Sequence, residues 1–168
     1  VFNIPQDSTW TATERIVFPE DKQHTWKQYV DARRIEVSCG EAPYLVSRYD
    51  TVTGEPIELL SRIGLLDRKL RVVTENASDE SEWLKWAYRA YESVYGFEFQ
   101  GDNLLLAREN LLYTCIDYMR YALKRTPTLD GLNKVATIIF WTLWQLDRFT
   151  YGAPPGVFPD GMTRLFCS

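Results

Sequence analysis

A chain of 168 residues, 45% apolar and carrying six Trp, ten Tyr and eight Phe, has ample material for the packed core of one soluble domain. Its 19 basic and 23 acidic residues are interleaved to a net charge of −4, which weighs against a charge-driven DNA-binding arm and equally against a DNA mimic built on a dense acidic face. Cys39, Cys115 and Cys167 are odd in number and far apart, with no CxxC pair and only His24 as an imidazole, so neither a disulfide framework nor a metal site is expected.

Residues 1–25 mix Pro5, Pro19, Asp7, Ser8 and Thr9 with short apolar pieces and read as an extended arm reaching to about residue 30. Residues 26–32 suit a turn or two of helix. Arg34-Ile35-Glu36-Val37-Ser38 is a β-prone run that ends at Cys39-Gly40, and Ala42-Pro43-Tyr44-Leu45-Val46 reads as a helix start after a tight glycine turn. The spacing of Ile57, Leu60, Ile63, Leu66 and Leu70 predicts a helix over 57–70. Ser78-Asp79-Glu80-Ser81-Glu82 caps a second, with a stripe of Trp83, Leu84, Trp86, Ala87, Ala90, Tyr91 and Val94, and Gly96 as its end. Phe97-Glu98-Phe99 is a short strand, residues 104–124 a long helix, and residues 132–147 a helix turning into a strand. Residues 151–168 are rich in Gly and Pro and read as an irregular tail. The apolar run at 135–144 is too short to span a bilayer, and no basic stretch followed by an apolar segment opens the chain, so a cytoplasmic protein without membrane contact is expected.

Three segments share one physical requirement, that of holding a nucleoside-bearing cofactor across the carboxyl ends of adjacent parallel strands. The first is Ile35-Glu36-Val37-Ser38-Cys39-Gly40-Glu41-Ala42-Pro43-Tyr44-Leu45; the second joins Tyr95-Gly96-Phe97-Glu98-Phe99 to Leu106-Ala107-Arg108-Glu109-Asn110-Leu111; the third is Trp144-Gln145-Leu146-Asp147. Together they resemble the cofactor-binding half of adenine-N6 DNA methyltransferases, and the stretches 39–50 and 101–111 look like bacterial and phage proteins labelled restriction-modification "subunit M". The resemblance implies an α/β fold, a partial Rossmann-like class I methyltransferase scaffold that is helix-rich overall, with residues 50–92 as a helical insertion. It implies S-adenosylmethionine as cofactor and Glu36, Cys39, Gly40, Tyr44, Glu98 and Asp147 as the residues around it, with Glu98 on the ribose hydroxyls and Asp147 on the adenine amine. Val37 stands where the family has Pro, and Ala42 where it has a second Gly.

Transfer to an adenine amine needs a (D/N)PP(Y/F) loop, and downstream of Asp147 only Ala153-Pro154-Pro155-Gly156 comes near it, without the acceptor or the aromatic. No catalytic residue is therefore assigned. The expectation is a non-catalytic, methyltransferase-like binding protein of phage or mobile-element origin that blocks a host restriction or CRISPR nuclease; the alternative is a cofactor-binding accessory subunit of a restriction-modification methyltransferase. Nucleic acid remains a possible partner, though not through strong positive charge. His24 reads as a surface histidine, Asp67-Arg68-Lys69 with Glu75 as a solvated helix face rather than a nuclease site, and Trp83, Trp86, Tyr88 and Tyr91 as core packing.

Overall fold

Thr25 opens the first helix with a reciprocal cap: its hydroxyl accepts the Gln28 N–H at 3.3 Å, and the Gln28 side chain accepts the Thr25 N–H at 2.9 Å. In this computed structural model, which describes residues 15–18 and 25–146, helix α1 (Trp26–Asp31) leads into strand β1 (Arg34–Val37). A 3-10 turn (Leu59–Ser61), α2 (Leu65–Asn76) and α3 (Glu80–Glu92) come next, then β2 (Val94–Glu98), α4 (Gly101–Leu123), α5 (Leu129–Thr142) and β3 (Leu143–Gln145). The three strands form one sheet in the order β1-β2-β3, and both pairs run parallel. Parallel neighbours need long crossovers, which the helix pairs α2-α3 and α4-α5 provide. The chain is thus a helix-rich α/β protein around a small parallel sheet.

The segment after β1 does not become a helix. Ala42 is held at φ 64°, outside the right-handed region, and the chain instead runs on to an antiparallel bridge between Tyr49 and Pro56. Nor does a helix begin at residue 57, because the N–H groups that find capping partners are those of Ile63 to Leu66. Ser47 Oγ accepts the Ile63 and Gly64 N–H groups at 2.8 and 3.1 Å, while the Tyr44 and Leu45 carbonyls accept those of Leu65 and Leu66 at 2.7 and 2.8 Å. Four N–H groups around the start of α2 are thereby satisfied by the loop that follows β1. Gly96 does not end α3, which stops at Glu92; it lies inside β2, where an added Cβ would meet Cys39 Sγ at 3.1 Å.

The helices between β1 and β2 belong to the main core. Leu66, Leu70 and Val73 of α2 and Trp83, Ala87 and Tyr91 of α3 are buried in one cluster with Leu111, Tyr118 and Ile139. The aromatics satisfy their polar tips internally: Trp83 Nε1 donates to Thr74 Oγ1 at 3.0 Å and the Tyr91 hydroxyl to the Leu111 carbonyl at 2.9 Å. Trp86 and Tyr88 are half-buried against the same cluster.

Asp67, Arg68 and Lys69 are all buried, which corrects their reading as a solvated face. Asp67 Oδ2 accepts the Ser47 N–H at 2.7 Å, and Lys69 Nζ donates to the Ala32 carbonyl at 2.6 Å, to the Ser93 carbonyl at 3.2 Å and to the Ser93 hydroxyl. These charges tie loops and helix ends together. Among the described residues no helix is long and apolar enough to cross a membrane.

Candidate functional site at the carboxyl edge of the sheet

Parallel strands direct their carboxyl ends to one edge, so the loop after β1 and the tip of β2 meet there. Beyond Val37 the backbone takes the left-handed conformation at alternate residues, Ser38 (φ 57°), Gly40 (φ 55°) and Ala42 (φ 64°). For Ser38 and Ala42 this geometry costs about 1–2 kcal/mol each. The loop is fixed by its surroundings: Cys39 N–H donates to the Phe97 carbonyl at 2.8 Å, Ala42 N–H to the Cys39 carbonyl at 2.7 Å, and Asn110 Nδ2 to the Glu41 carbonyl at 3.0 Å.

Glu98 clasps this loop to the rest of the edge. Its Oε2 accepts the Gly40 N–H at 2.6 Å, and its Oε1 accepts the N–H groups of Phe99 and Gln100 at 2.9 and 3.0 Å, just ahead of α4. Its own carbonyl accepts the Leu146 N–H at 2.8 Å, so the end of β3 is held as well. Desolvation pushes the Glu98 carboxyl upward, but the N–H donors of Gln100, Gly40 and Phe99, with the Asn103 side chain, outweigh it and hold the group below the usual carboxylate range. A carboxylate offers about four lone pairs, and three are taken by backbone donors.

The remaining sequence-predicted residues divide. Gly40 lies in the clasp, and nothing stands within 4 Å of an ideal Cβ built on it, so the space beside its Cα is open. Cys39 is buried against Gly96; burial first, then the charges of Glu36 and Glu98, push its thiol up to about 12, which keeps it protonated and unreactive. Glu36 sits on β1 one residue before the strand's end, with Oε2 buried and without a hydrogen-bond partner. Burial raises its carboxyl to about 7 against the pull of the Tyr44 and Leu45 N–H groups. Tyr44 is 75% exposed, so its ring flanks the loop from outside, whereas Leu45 is fully buried beneath it. Asp147, His24 and the 153–156 segment lie outside the described residues.

Two positioning residues escaped the sequence reading. Asn110, inside the Leu106–Leu111 stretch that carried the second motif, holds the loop carbonyl of Glu41, and the Tyr49 hydroxyl donates to the Glu41 carboxylate. The helical spacing of Asn110 alone does not reveal that it faces the sheet edge.

No family model, no curated protein and no solved structure matches this chain closely enough to carry an argument.

Proposed function

We propose that this chain is a methyltransferase-like binding module whose sheet edge receives a nucleoside-bearing ligand of the S-adenosylmethionine type, and that it contributes this binding as an accessory part of a restriction-modification assembly. The observation that carries the reading is the convergence of Gly40 and Glu98, 58 residues apart in sequence, at the carboxyl ends of two adjacent parallel strands, with open space beside the glycine. In open α/β sheets this edge is where nucleotides bind, because loop N–H groups and a strand-tip acid meet there. A ligand hydroxyl gains an acceptor on Glu98 by displacing the Asn103 side chain, and a vicinal diol gains a second by displacing the Gly40 N–H.

Calorimetry with S-adenosylmethionine and its demethylated product tests the reading. One-to-one binding is expected for the wild type. Gly40→Asn should abolish it while leaving the melting temperature within a few degrees, because Asn tolerates the left-handed region and its side chain fills the open space. Absence of heat and of thermal shift with both ligands sinks the proposal, as does a Gly40→Asn variant that binds normally.

A second reading, a counter-defence protein that uses the scaffold to block a host restriction or CRISPR nuclease, is favoured by the three backbone donors already seated on Glu98. A site satisfied from within does not need a cofactor. This reading expects co-purification with such a nuclease and loss of its cleavage without methyl transfer. Recovery of neither counts decisively against it.

A further inference from the structure

β1 is an edge strand, since the sheet order places β2 on one side of it and no described strand on the other. Arg34 N–H donates to the Ser93 carbonyl at 2.9 Å on the β2 side. Strand alternation therefore turns the backbone N–H and C=O groups of Ile35 and Val37 toward the open side. Natural edges are protected by Lys, Pro or a covering element. Here the same two positions are Ile35 and Val37, 47% and 66% exposed, on an edge without Lys or Pro.

The opposite face of β1 carries a complementary pair of charges. Arg34 and Glu36 share that face with Val94 and Gly96, their partners in β2. Among the described residues Arg34 has no carboxylate partner, and its guanidinium donates to the neighbouring Arg33 carbonyl at 3.0 Å. Glu36 has the converse defect, a buried oxygen that accepts nothing. Although they are neighbours on one face, the two do not pair within the chain, where the Arg34 guanidinium turns to the Arg33 carbonyl instead. Across a twofold axis they can.

We propose that the β1 edge pairs with β1 of a second copy of this chain, antiparallel and centred on Ile35, to make a continuous six-stranded sheet. In this register Ile35 faces its own counterpart and exchanges both backbone hydrogen bonds with it, and Val37 faces Arg33 of the other copy. Arg34 then stands opposite Glu36 in both halves, as a pair without mutual backbone bonds, the arrangement in which opposing side chains come closest. One register thus pairs the outward backbone groups, covers Ile35 and Val37, and brings a guanidinium beside the half-buried Glu36 carboxylate of each copy. A shift by one residue places side chains from opposite faces across from each other and loses all three at once.

Sedimentation or light scattering over a concentration series tests this on the intact chain. The wild type is expected to reach the mass of two chains, with the Ile35 and Val37 amides exchanging more slowly at high concentration than at low. Arg34→Glu alone and Glu36→Arg alone should each be monomeric, because each sets like charges opposite one another. Mixing the two variants should restore a dimer of one copy of each, since both cross-pairs are then of opposite sign. A wild type that stays monomeric at its highest soluble concentration overturns the proposal, and so does a dimer that both single variants form as well as the wild type. Should a variant fail to fold, the concentration dependence of the two wild-type amides decides: equal exchange at both concentrations overturns the β1 pairing.

Discussion

At Gly64 a single methyl group has nowhere to go. An ideal Cβ would lie 2.5 Å from the Leu45 carbonyl oxygen, 2.6 Å from Asp67 Oδ2 and 2.7 Å from the Leu45 carbonyl carbon, and two of these three atoms are backbone. The same glycine donates its N–H to Ser47 Oγ, so moving it away from Leu45 breaks the cap of α2. Gly64→Ala is therefore expected to cost about 3–4 kcal/mol, the range of severe overpacking combined with a lost cap, and to lower the urea midpoint accordingly. Gly40 is the contrast: it needs its backbone conformation but has free space around it, so substitution there should act on binding far more than on stability. A Gly64→Ala protein with an unchanged midpoint shows that the loop-helix junction gives way easily, and with it the argument that this junction fixes the sheet edge.

Elements meet at Lys69. Its ammonium reaches the Ala32 carbonyl at the end of α1 and the Ser93 carbonyl and hydroxyl at the end of α3, so one side chain on α2 closes two other helices. Burial, then the charge of Arg34, push its pKa down to about 7, while three acceptors match the three N–H bonds of the protonated form. Lys69→Met keeps most of the volume and strands the Ala32 carbonyl, while the Ser93 carbonyl keeps the Arg34 N–H and the Ser93 hydroxyl still donates to the Val30 and Ala90 carbonyls. One orphaned carbonyl costs about 1–3 kcal/mol, offset in part by the relief of removing one desolvated charge, so a loss of about 1 kcal/mol is expected in denaturant unfolding. An equally stable Met variant makes the charge a burden rather than a tie. Lys69 also marks how far elements were legible. The helices α3, α4 and α5 and the switch into β3 follow from local signals, such as Asp79 accepting the Glu82 N–H and Thr128 accepting that of Gly131. The start of α2 was not, since its cap is Ser47, which sits 18 residues before Leu65 and has no local signature. Gly96 read as a helix stop because its neighbours Cys39 and Leu143 are distant in sequence, and Ala42 read as helical because only tertiary packing forces it to φ 64°. At the site, glycine turn and strand-tip acid were visible as types in order; that the acid would bind the glycine itself was not.

For the molecule as a whole, the buried carboxyls give an unusual pH response. Desolvation raises Glu36 to about 7 and Asp67 to about 6, so the folded chain keeps both protons at pH values where the unfolded chain has released them. The folded state then binds more protons than the unfolded one, and stability must rise as pH falls through this window toward the ordinary carboxylate range. Lys69 adds little slope below about pH 6, where it is protonated in both states. The opposite trend begins lower. Glu98, whose backbone donors outweigh its desolvation, and Asp50, held by the Thr53 and Val52 N–H groups, have lowered carboxyls, and the stability they contribute is lost only as pH falls below their unfolded values. A melting temperature a few degrees higher at about pH 5 than at about pH 6.5 is expected, followed by a decline in stronger acid. The double variant Glu36→Gln, Asp67→Asn should lose the rise and keep the decline. A wild-type melting temperature that falls steadily over the same interval means that both carboxyls ionise normally in the fold. The rise is expected of the single chain, in which Glu36 Oε2 has no partner, so the melts belong at a concentration where the chain is monomeric.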